Sequence, residues 1–267
     1  MDISIVILNY KGKELTLNCL ASIASADFNY GDRILSREII LVDNNSGDGV
    51  GEATIKLYPE IKFIQNPKNT GMGSGNNLGI RQAIGKYIVI MNPDTTASNE
   101  VFVKLYEYME LNDSVGVVGP KQYNSDGSEQ DSCYRWPNFL IPIYRRTVIG
   151  KLAFAKKKVE DLLMKNFDRN RICEVNWLLG SFLFCRAEAL RKIGLFDERY
   201  FLYLEDTDLC RSFWHYGFNV IYYPDVGITH NHDRATARVA WYKFLANKAA
   251  REHVSSWLKY FWKWKFK

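Results

Sequence analysis

Three short apolar, β-branched runs, Ile3–Leu8, Glu38–Val42 and Lys86–Met91, each end abruptly at a cluster of asparagine and aspartate. Runs of that length and composition fill central parallel strands. Between them lie a stretch with helical spacing, Lys13–Ala24, a further short strand at Lys62–Gln65, and a Gly/Asn-rich turn, Gly71–Ala83, that runs into a helix. Strand and helix alternating in this rhythm predict an α/β fold on a parallel sheet. The clusters Asn9-Tyr10, Asp43-Asn44-Asn45 and Asn92-Pro93-Asp94 would then all project from the carboxyl ends of strands. Open α/β sheets bind ligands at that edge.

Further along, Asn99–Asn112 has an amphipathic helical pattern and Val115–Pro120 reads as another strand. From Asn124 to Ile172 the regularity fades. Arg145, Arg146, Lys151, Lys156, Lys157 and Lys158 make a basic stretch there, expected as an excursion over the surface. Glu174–Arg186 is regular again, followed by a helix at Ala187–Ile193 and a last strand at Asn219–Tyr223 that leads to Thr229-His-Asn-His232. The tail from Trp241 to Lys267 is helical in pattern.

With 267 residues, 47% of them hydrophobic, the chain can bury a sizeable core without disulfide staples. Its five cysteines are scattered, with neither CxxC nor zinc spacing, which predicts a reduced, cytoplasmic setting. Met1-Asp-Ile-Ser-Ile-Val-Ile-Leu reads as a buried strand, not as a signal peptide or membrane span. A net charge of +5 suits an anionic ligand or membrane surface, and nucleic acid is not an expected partner.

The segment Phe201-Leu-Tyr-Leu-Glu-Asp-Thr-Asp-Leu-Cys-Arg211 sets three carboxylates, Glu205, Asp206 and Asp208, directly after an apolar run. A carboxylate held beside apolar surface can act as a base or hold a cation. Asp208 and Arg211 are spaced for an ion pair on one helix. Asp206 could alternatively cap a helix over Thr207–Trp214, and Asp94 could cap one after Thr95-Thr96.

Taken in order, Ile3–Tyr10, Val42-Asp-Asn-Asn-Ser-Gly, Asn69-Thr-Gly-Met-Gly-Ser-Gly-Asn-Asn-Leu-Gly79, Asn92-Pro-Asp94, Trp177-Leu-Leu-Gly-Ser181 and Phe196-Asp to Asp208-Leu-Cys-Arg211 resemble the inverting family 2 glycosyltransferases of GT-A fold. The nearest likeness is to the rhamnosyltransferase-like branch of bacterial cell-surface polysaccharide and O-antigen synthesis. The resemblance implies a Rossmann-like nucleotide-binding fold with a mainly parallel central sheet and a helical C-terminal tail. It covers residues 1–240, with a nucleotide-sugar-binding half over about 1–120 and an acceptor half over about 121–240, and leaves 241–267 as the tail.

The implied activity is hexosyl transfer, with inversion, from a nucleoside diphosphate sugar to a saccharide or lipid-linked saccharide. dTDP-rhamnose is the first donor to expect and UDP-sugars come next. By the same resemblance Asp43 matches the position that recognises the base, and Asn9, Tyr10, Asn45, Gly71, Asn76, Asn92 and Gly180 line the nucleotide-sugar site. Asn92-Pro93-Asp94 matches the family's metal-binding Asp-x-Asp, with Asn92 in place of the first acid. That leaves Asp94 to hold Mg2+ or Mn2+, completed by His230, with His232 as its competitor. Asp206 matches the catalytic base, and Glu205 and Trp177 fall on the acceptor side. Arg234 and Arg238 could pair with the diphosphate.

In the tail, Val254, Trp257, Leu258, Phe261 and Trp262 fall on one helical stripe flanked by Lys259, Lys263, Lys265 and Lys267. The pattern suits a helix lying on an anionic membrane, hence a peripheral location at the inner face of the cell membrane. Packing on the domain or against a second copy is the other reading of the same stripe. Two rival functions are a catalytically silent nucleotide-sugar-binding or membrane-docking module and a sugar nucleotidyltransferase. The second lacks support, because the sequence shows no N-terminal Gly-rich, Lys-containing phosphate-grip motif.

Overall fold

The computed structural model describes residues 1–24, 27–231 and 248–265. His232, Arg234 and Arg238 lie outside the described residues. The central element is one sheet whose main path runs Cys173–Glu174, Asn219–His230, Val115–Tyr123, Phe182–Arg186, Tyr87–Met91, Ile3–Asn9, Arg37–Asp43, Lys62–Gln65. Lys62–Gln65, Arg37–Asp43, Ile3–Asn9 and Tyr87–Met91 are mutually parallel, as the strand–helix rhythm requires. Phe182–Arg186 then runs antiparallel between Tyr87–Met91 and Val115–Tyr123. The fold class is therefore α/β, with its parallel order concentrated in the amino-terminal half.

Alternation along the central strands explains the layers. Ile3, Ile5, Ile7, Leu41, Val89 and Met91 face one core together with Leu20 and Ile23 of the helix Lys13–Ala24 and with Phe102, Leu105 and Met109 of the helix Asn99–Leu111. Val6, Leu8, Ile40, Val42, Ile88 and Ile90 face the other. That second core also takes Ile80 of the helix Met72–Gln82, Leu190, and Leu209 and Phe213 of the acidic helix Glu205–His215. Both faces are covered, so these strands are apolar on both sides. Each fully buried Ile, Val or Leu contributes roughly 1.5–3 kcal/mol. The helix Met72–Gln82 reaches the sheet through Gly75 and Gly79. A Cβ on Gly75 would sit 2.7 Å from Leu8, and one on Gly79 2.5 Å from Val6.

Two stretches differ from the sequence reading. The last strand does not stop at Tyr223: it continues to His230 beside Val115–Tyr123, through an irregularity between Tyr223 and Gly227. Pro224-Asp225 interrupts the apolar pattern there, but the ladder resumes beyond the bulge. The basic excursion is largely helical, with Ile141–Arg146 and Ala153–Leu162. Its helical signal is weak because Ala153–Leu162 buries only Ala155 and Leu162 while Lys156, Lys157 and Lys158 stay exposed.

The tail helix, Lys248–Trp264, packs on the domain through one face and leaves another exposed. Tyr260 and Trp264 are buried with Tyr200 and Leu204, while Val254, Leu258 and Trp262 remain exposed. Trp257 and Phe261 are half-buried between those two faces.

Candidate active site

The polar clusters gather at the carboxyl edge of the parallel strands. Asn9 pairs with Asp43 across the first two strands. Its Nδ2 donates to Asp43 Oδ1 at 2.8 Å and to Ser46 Oγ at 2.9 Å, and its Oδ1 accepts from Thr16 Oγ1 and the Gly12 amide. Fully buried, Asn9 organises the edge from beneath. Asp43 Oδ2 accepts from the Ser46 amide and from Gln65 Nε2, each at 3.0 Å. Burial pushes this carboxyl up, but the bonds from Ser46, Gln65 and Asn9 outweigh it and hold its pKa below the ordinary aspartate value. Tyr10 and Asn45 are exposed at the same edge, Asn45 with φ +63°.

Asn44, beside Asp43, is buried and ties down the glycine-rich turn. It bonds Asn69 Oδ1 and the Gly71 carbonyl through Nδ2, and Asn66 Nδ2 and the Thr70 amide through Oδ1. Gly71 has φ +90°, and a Cβ there would collide with the Phe201 carbonyl. The same carbonyl accepts from the Met72 amide at 2.8 Å, so this turn and the acidic segment share a seam. Asn76 is buried; its Nδ2 bonds the Met72 carbonyl and its Oδ1 has no hydrogen-bond partner among the described residues. Asn77 reaches the acidic segment's approach through Phe196 and Glu198.

The Asn92–Asp94 turn caps no helix. Thr95–Thr96 is a short strand pairing with Thr229 and His230, and the next helix begins at Asn99. The capping reading of Asp94 is therefore set aside. Asp94 Oδ1 is buried without a hydrogen-bond partner among the described residues and lies 3.4 Å from His230 Nε2. His230 Nδ1 is 2.8 Å from Gln130 Oε1. Because Gln130 Nε2 donates to Asn124 Oδ1, its oxygen faces the imidazole and can accept from Nδ1–H. A ring N–H held by a carbonyl, with the other nitrogen toward a carboxylate, is the usual support of a metal-binding histidine. A buried carboxylate oxygen and an imidazole suit a hard or borderline divalent cation. Among the described residues no third His, Cys, Asp or Glu joins them. Gln130 was missed by the sequence reading, since it lies in the stretch without periodicity.

Glu205 and Asp206 open the helix Glu205–His215, directly after Tyr203 and Leu204, whose φ values of +69° and +68° are rare for such side chains. Asp206 does not cap from outside: it sits in the first helical turn, where the helix dipole favours a carboxylate. Its Oδ2 accepts from the Gly180 amide at 3.0 Å and its Oδ1 from the Thr207 amide at 2.6 Å. Gly180 lies against Asp206, where a Cβ would sit 3.0 Å from the aspartate's own Cβ. The next residue, Ser181, accepts through its carbonyl from the Asn92 amide at 2.9 Å. One dipeptide thus joins the acidic helix to the Asn92–Asp94 turn. Trp177 is half-buried, stacked on Tyr134 at 4.1 Å with its Nε1 bonded to the Arg135 carbonyl.

Burial raises both carboxyls of the Glu205–Asp206 pair. The bonds from Gly180 and Thr207 oppose the rise at Asp206, whereas Glu205 Oε2 has no partner among the described residues and Glu205 is pushed up to about 8 by burial and by Asp206. The two carboxyls interact, so they give up their protons in two steps that belong to the pair. A carboxyl whose folded pKa exceeds its unfolded value of 4.5 stabilises the fold at low pH and loses that advantage as pH rises through about 8. The melting temperature of the Glu205→Gln variant is therefore expected to fall less than wild type between these pH values. An identical decline in both proteins would mean that Glu205 does not titrate there.

Asp208 corrects the sequence reading. Its partner is not Arg211 but Lys263 of the tail helix, at 2.6 Å, and its other oxygen accepts from Trp264 Nε1 at 2.7 Å and Tyr200 Oη at 3.1 Å. Arg211 bonds Tyr260 Oη instead and lies over the rings of Trp136, Tyr260 and Trp264.

Residues 4–171 match the glycosyl transferase family 2 model, and the chain belongs to that family. Over 239 residues it is 26% identical to the N-acetylglucosaminyl-diphospho-decaprenol L-rhamnosyltransferase of Mycobacterium tuberculosis, covering 82% of this chain and 73% of that one. It is 24% identical over 236 residues to the rhamnosyltransferase WbbL of Escherichia coli, covering 83% and 81%. The fold superposes on the Pyrobaculum calidifontis mannosyltransferase PcManGT, solved with GDP-Man and Mn2+, with a TM-score of 0.58 at 17% identity, covering 87% of this chain. This chain spans 57% of that solved chain. The protein is thus a family 2 glycosyltransferase of GT-A fold.

Proposed function

We propose that the protein transfers a sugar, with inversion, from a nucleoside diphosphate sugar to a saccharide or lipid-linked saccharide, in cell-surface polysaccharide or O-antigen synthesis. dTDP-rhamnose is the first donor to test and UDP-sugars the next, a choice supported by two relatives that are rhamnosyltransferases by name. The observation that carries the reading is the Gly180-Ser181 bridge, which ties Asp206 to the Asn92–Asp94 turn. In this reading Asp206 takes the proton of the acceptor hydroxyl as that oxygen attacks the anomeric carbon. The bond from that carbon to the diphosphate breaks on the opposite face. Proximity matters more here than an extreme pKa, because the hydroxyl proton becomes acidic as the new bond forms.

Glu205, neutral beside Asp206, is suited to hydrogen-bond an acceptor hydroxyl, and Trp177 offers an aromatic surface nearby. Asp43, with Asn9 holding it, and Tyr10, Asn45, Gly71 and Asn76 form the nucleotide side of the cleft, while Asn92 and Gly180 line its junction with the acceptor side. Asp94 and His230 would hold a divalent cation, Mg2+ or Mn2+, which when bound neutralises charge on the leaving diphosphate. The exposed face of the tail helix would lie on an anionic membrane at the inner face of the cell membrane; among the described residues no helix is long and apolar enough to cross one.

A donor screen that reads nucleoside diphosphate release, with and without saccharide acceptors, tests the reading. EDTA is expected to abolish turnover, and Mg2+ or Mn2+ to restore it. Undiminished turnover in EDTA would remove the cation from the account, and no release from any donor would remove the transfer.

A further inference from the structure

The basic excursion has no part in the chemistry above, yet it is strongly and one-sidedly charged. From Ser132 to Val159 there are seven Lys or Arg residues and no Asp or Glu. Within it Phe139, Leu140, Ile143, Val148, Leu152 and Phe154 are exposed. Solvated basic loops have no need of so many uncovered large apolar side chains. The segment is joined to the tail helix: Trp257 Nε1 donates to the Phe139 carbonyl at 3.2 Å, and the Phe139 and Phe261 rings meet edge to face at 5.2 Å. Beside this seam the tail helix exposes Leu258 at 55% and Trp262 at 77%. A groove of about 610 Å3 opens between the two segments, walled by Trp136, Phe139, Leu258, Phe261 and Trp262, with Arg211 and Lys265 at its edge.

We propose that the excursion and the tail helix together form one docking face for an anionic lipid bilayer, the excursion supplying most of the charge. The inference rests on the membrane placement given above for the tail and extends it to a second, sequence-distant segment. Exposed Trp, Phe and Leu side chains seat at the acyl boundary while lysines meet anionic headgroups, the combination that interfacial helices use. The opposing acids are few: Glu160 pairs with Lys156 at 3.8 Å, and Asp161 and Glu252 follow at the edges. Because the tail helix also grips the acidic helix through Lys263 and Asp208, docking this face holds the Glu205–Asp206 end near the bilayer, where a lipid-linked acceptor resides.

The test uses the full chain and phosphatidylcholine vesicles with and without phosphatidylglycerol. Wild type is expected to sediment with the anionic vesicles only, and less so at high salt. The triple variant Lys156→Gln/Lys157→Gln/Lys158→Gln is expected to weaken binding roughly a hundredfold, at about one headgroup attraction lost per lysine. Val148→Asp, at a side chain 78% exposed and so tolerated by the fold, gives an independent reading by placing an acid on the face. Wild-type affinity in both variants, or no anionic preference in the wild type, overturns the proposal. Nucleoside diphosphate release in solution is read in parallel. It is expected to persist in both variants, so a failure of docking and a failure of the transfer reading are told apart.

Discussion

Asp206→Asn is expected to bind the donor as wild type does and to lose transfer by roughly 10²–10⁴-fold, the range over which a positioned base contributes. The substitution keeps the shape, and with its one oxygen turned to the Gly180 amide it retains the bridge to the Asn92–Asp94 turn while giving up the bond from Thr207. It removes the ionised acceptor of the proton. Calorimetry for donor affinity and single-turnover transfer separate the two effects. Burial raises the Asp206 carboxyl, so the acidic limb of the wild-type rate profile is expected above the ordinary aspartate range. The residual rate of the variant should lack that limb. Full transfer in Asp206→Asn would move the base elsewhere, and Glu205, held neutral, would be a poor replacement at neutral pH.

The parallel half of the sheet was legible because its signals are local. Ile3–Leu8, Glu38–Val42 and Lys86–Met91 announce buried strands by composition, and the Asn/Asp clusters announce where those strands end. Asp94, His230, Asp206 and Gly180 could be named from motif order, and the fold brings them to one edge. What could not be read was the support beneath them. Gln130 meets His230 Nδ1 from a stretch without periodicity, and nothing in its neighbours marks it. Tyr203 and Leu204 adopt left-handed backbone without being Gly or Asn, the residues that advertise it. The Asp208–Arg211 spacing satisfied a helix-surface rule, but Asp208 points into the core, where the competing partner arrives from the far end of the chain. Local rules rank neighbours along a helix and say nothing of a lysine 55 residues away.

Lys263→Met is expected to destabilise the protein by about 3 kcal/mol at pH 8, because breaking a buried ion pair strands the remaining charge. Asp208 is buried, and Lys263 meets both Asp208 at 2.6 Å and Asp197 at 2.9 Å. Burial lifts the Asp208 carboxyl even with Lys263 present, and without the ammonium it would rise further. A folded pKa above the unfolded one stabilises at low pH, so the deficit of Lys263→Met should shrink as pH falls from 8 toward the ordinary aspartate range. Asp208→Asn combined with Lys263→Met should recover much of the loss, since a neutral amide can still meet Tyr200 and Trp264. Urea unfolding across pH reads all three proteins. Asp208 lies two residues beyond Asp206 on the same helix, so the single variant should also lower kcat while leaving donor KM nearly unchanged. Unfolding at the wild-type urea midpoint throughout the pH range would show that the pair does not clamp the tail. A fall in donor affinity instead of kcat would place its influence on the nucleotide side rather than on the base.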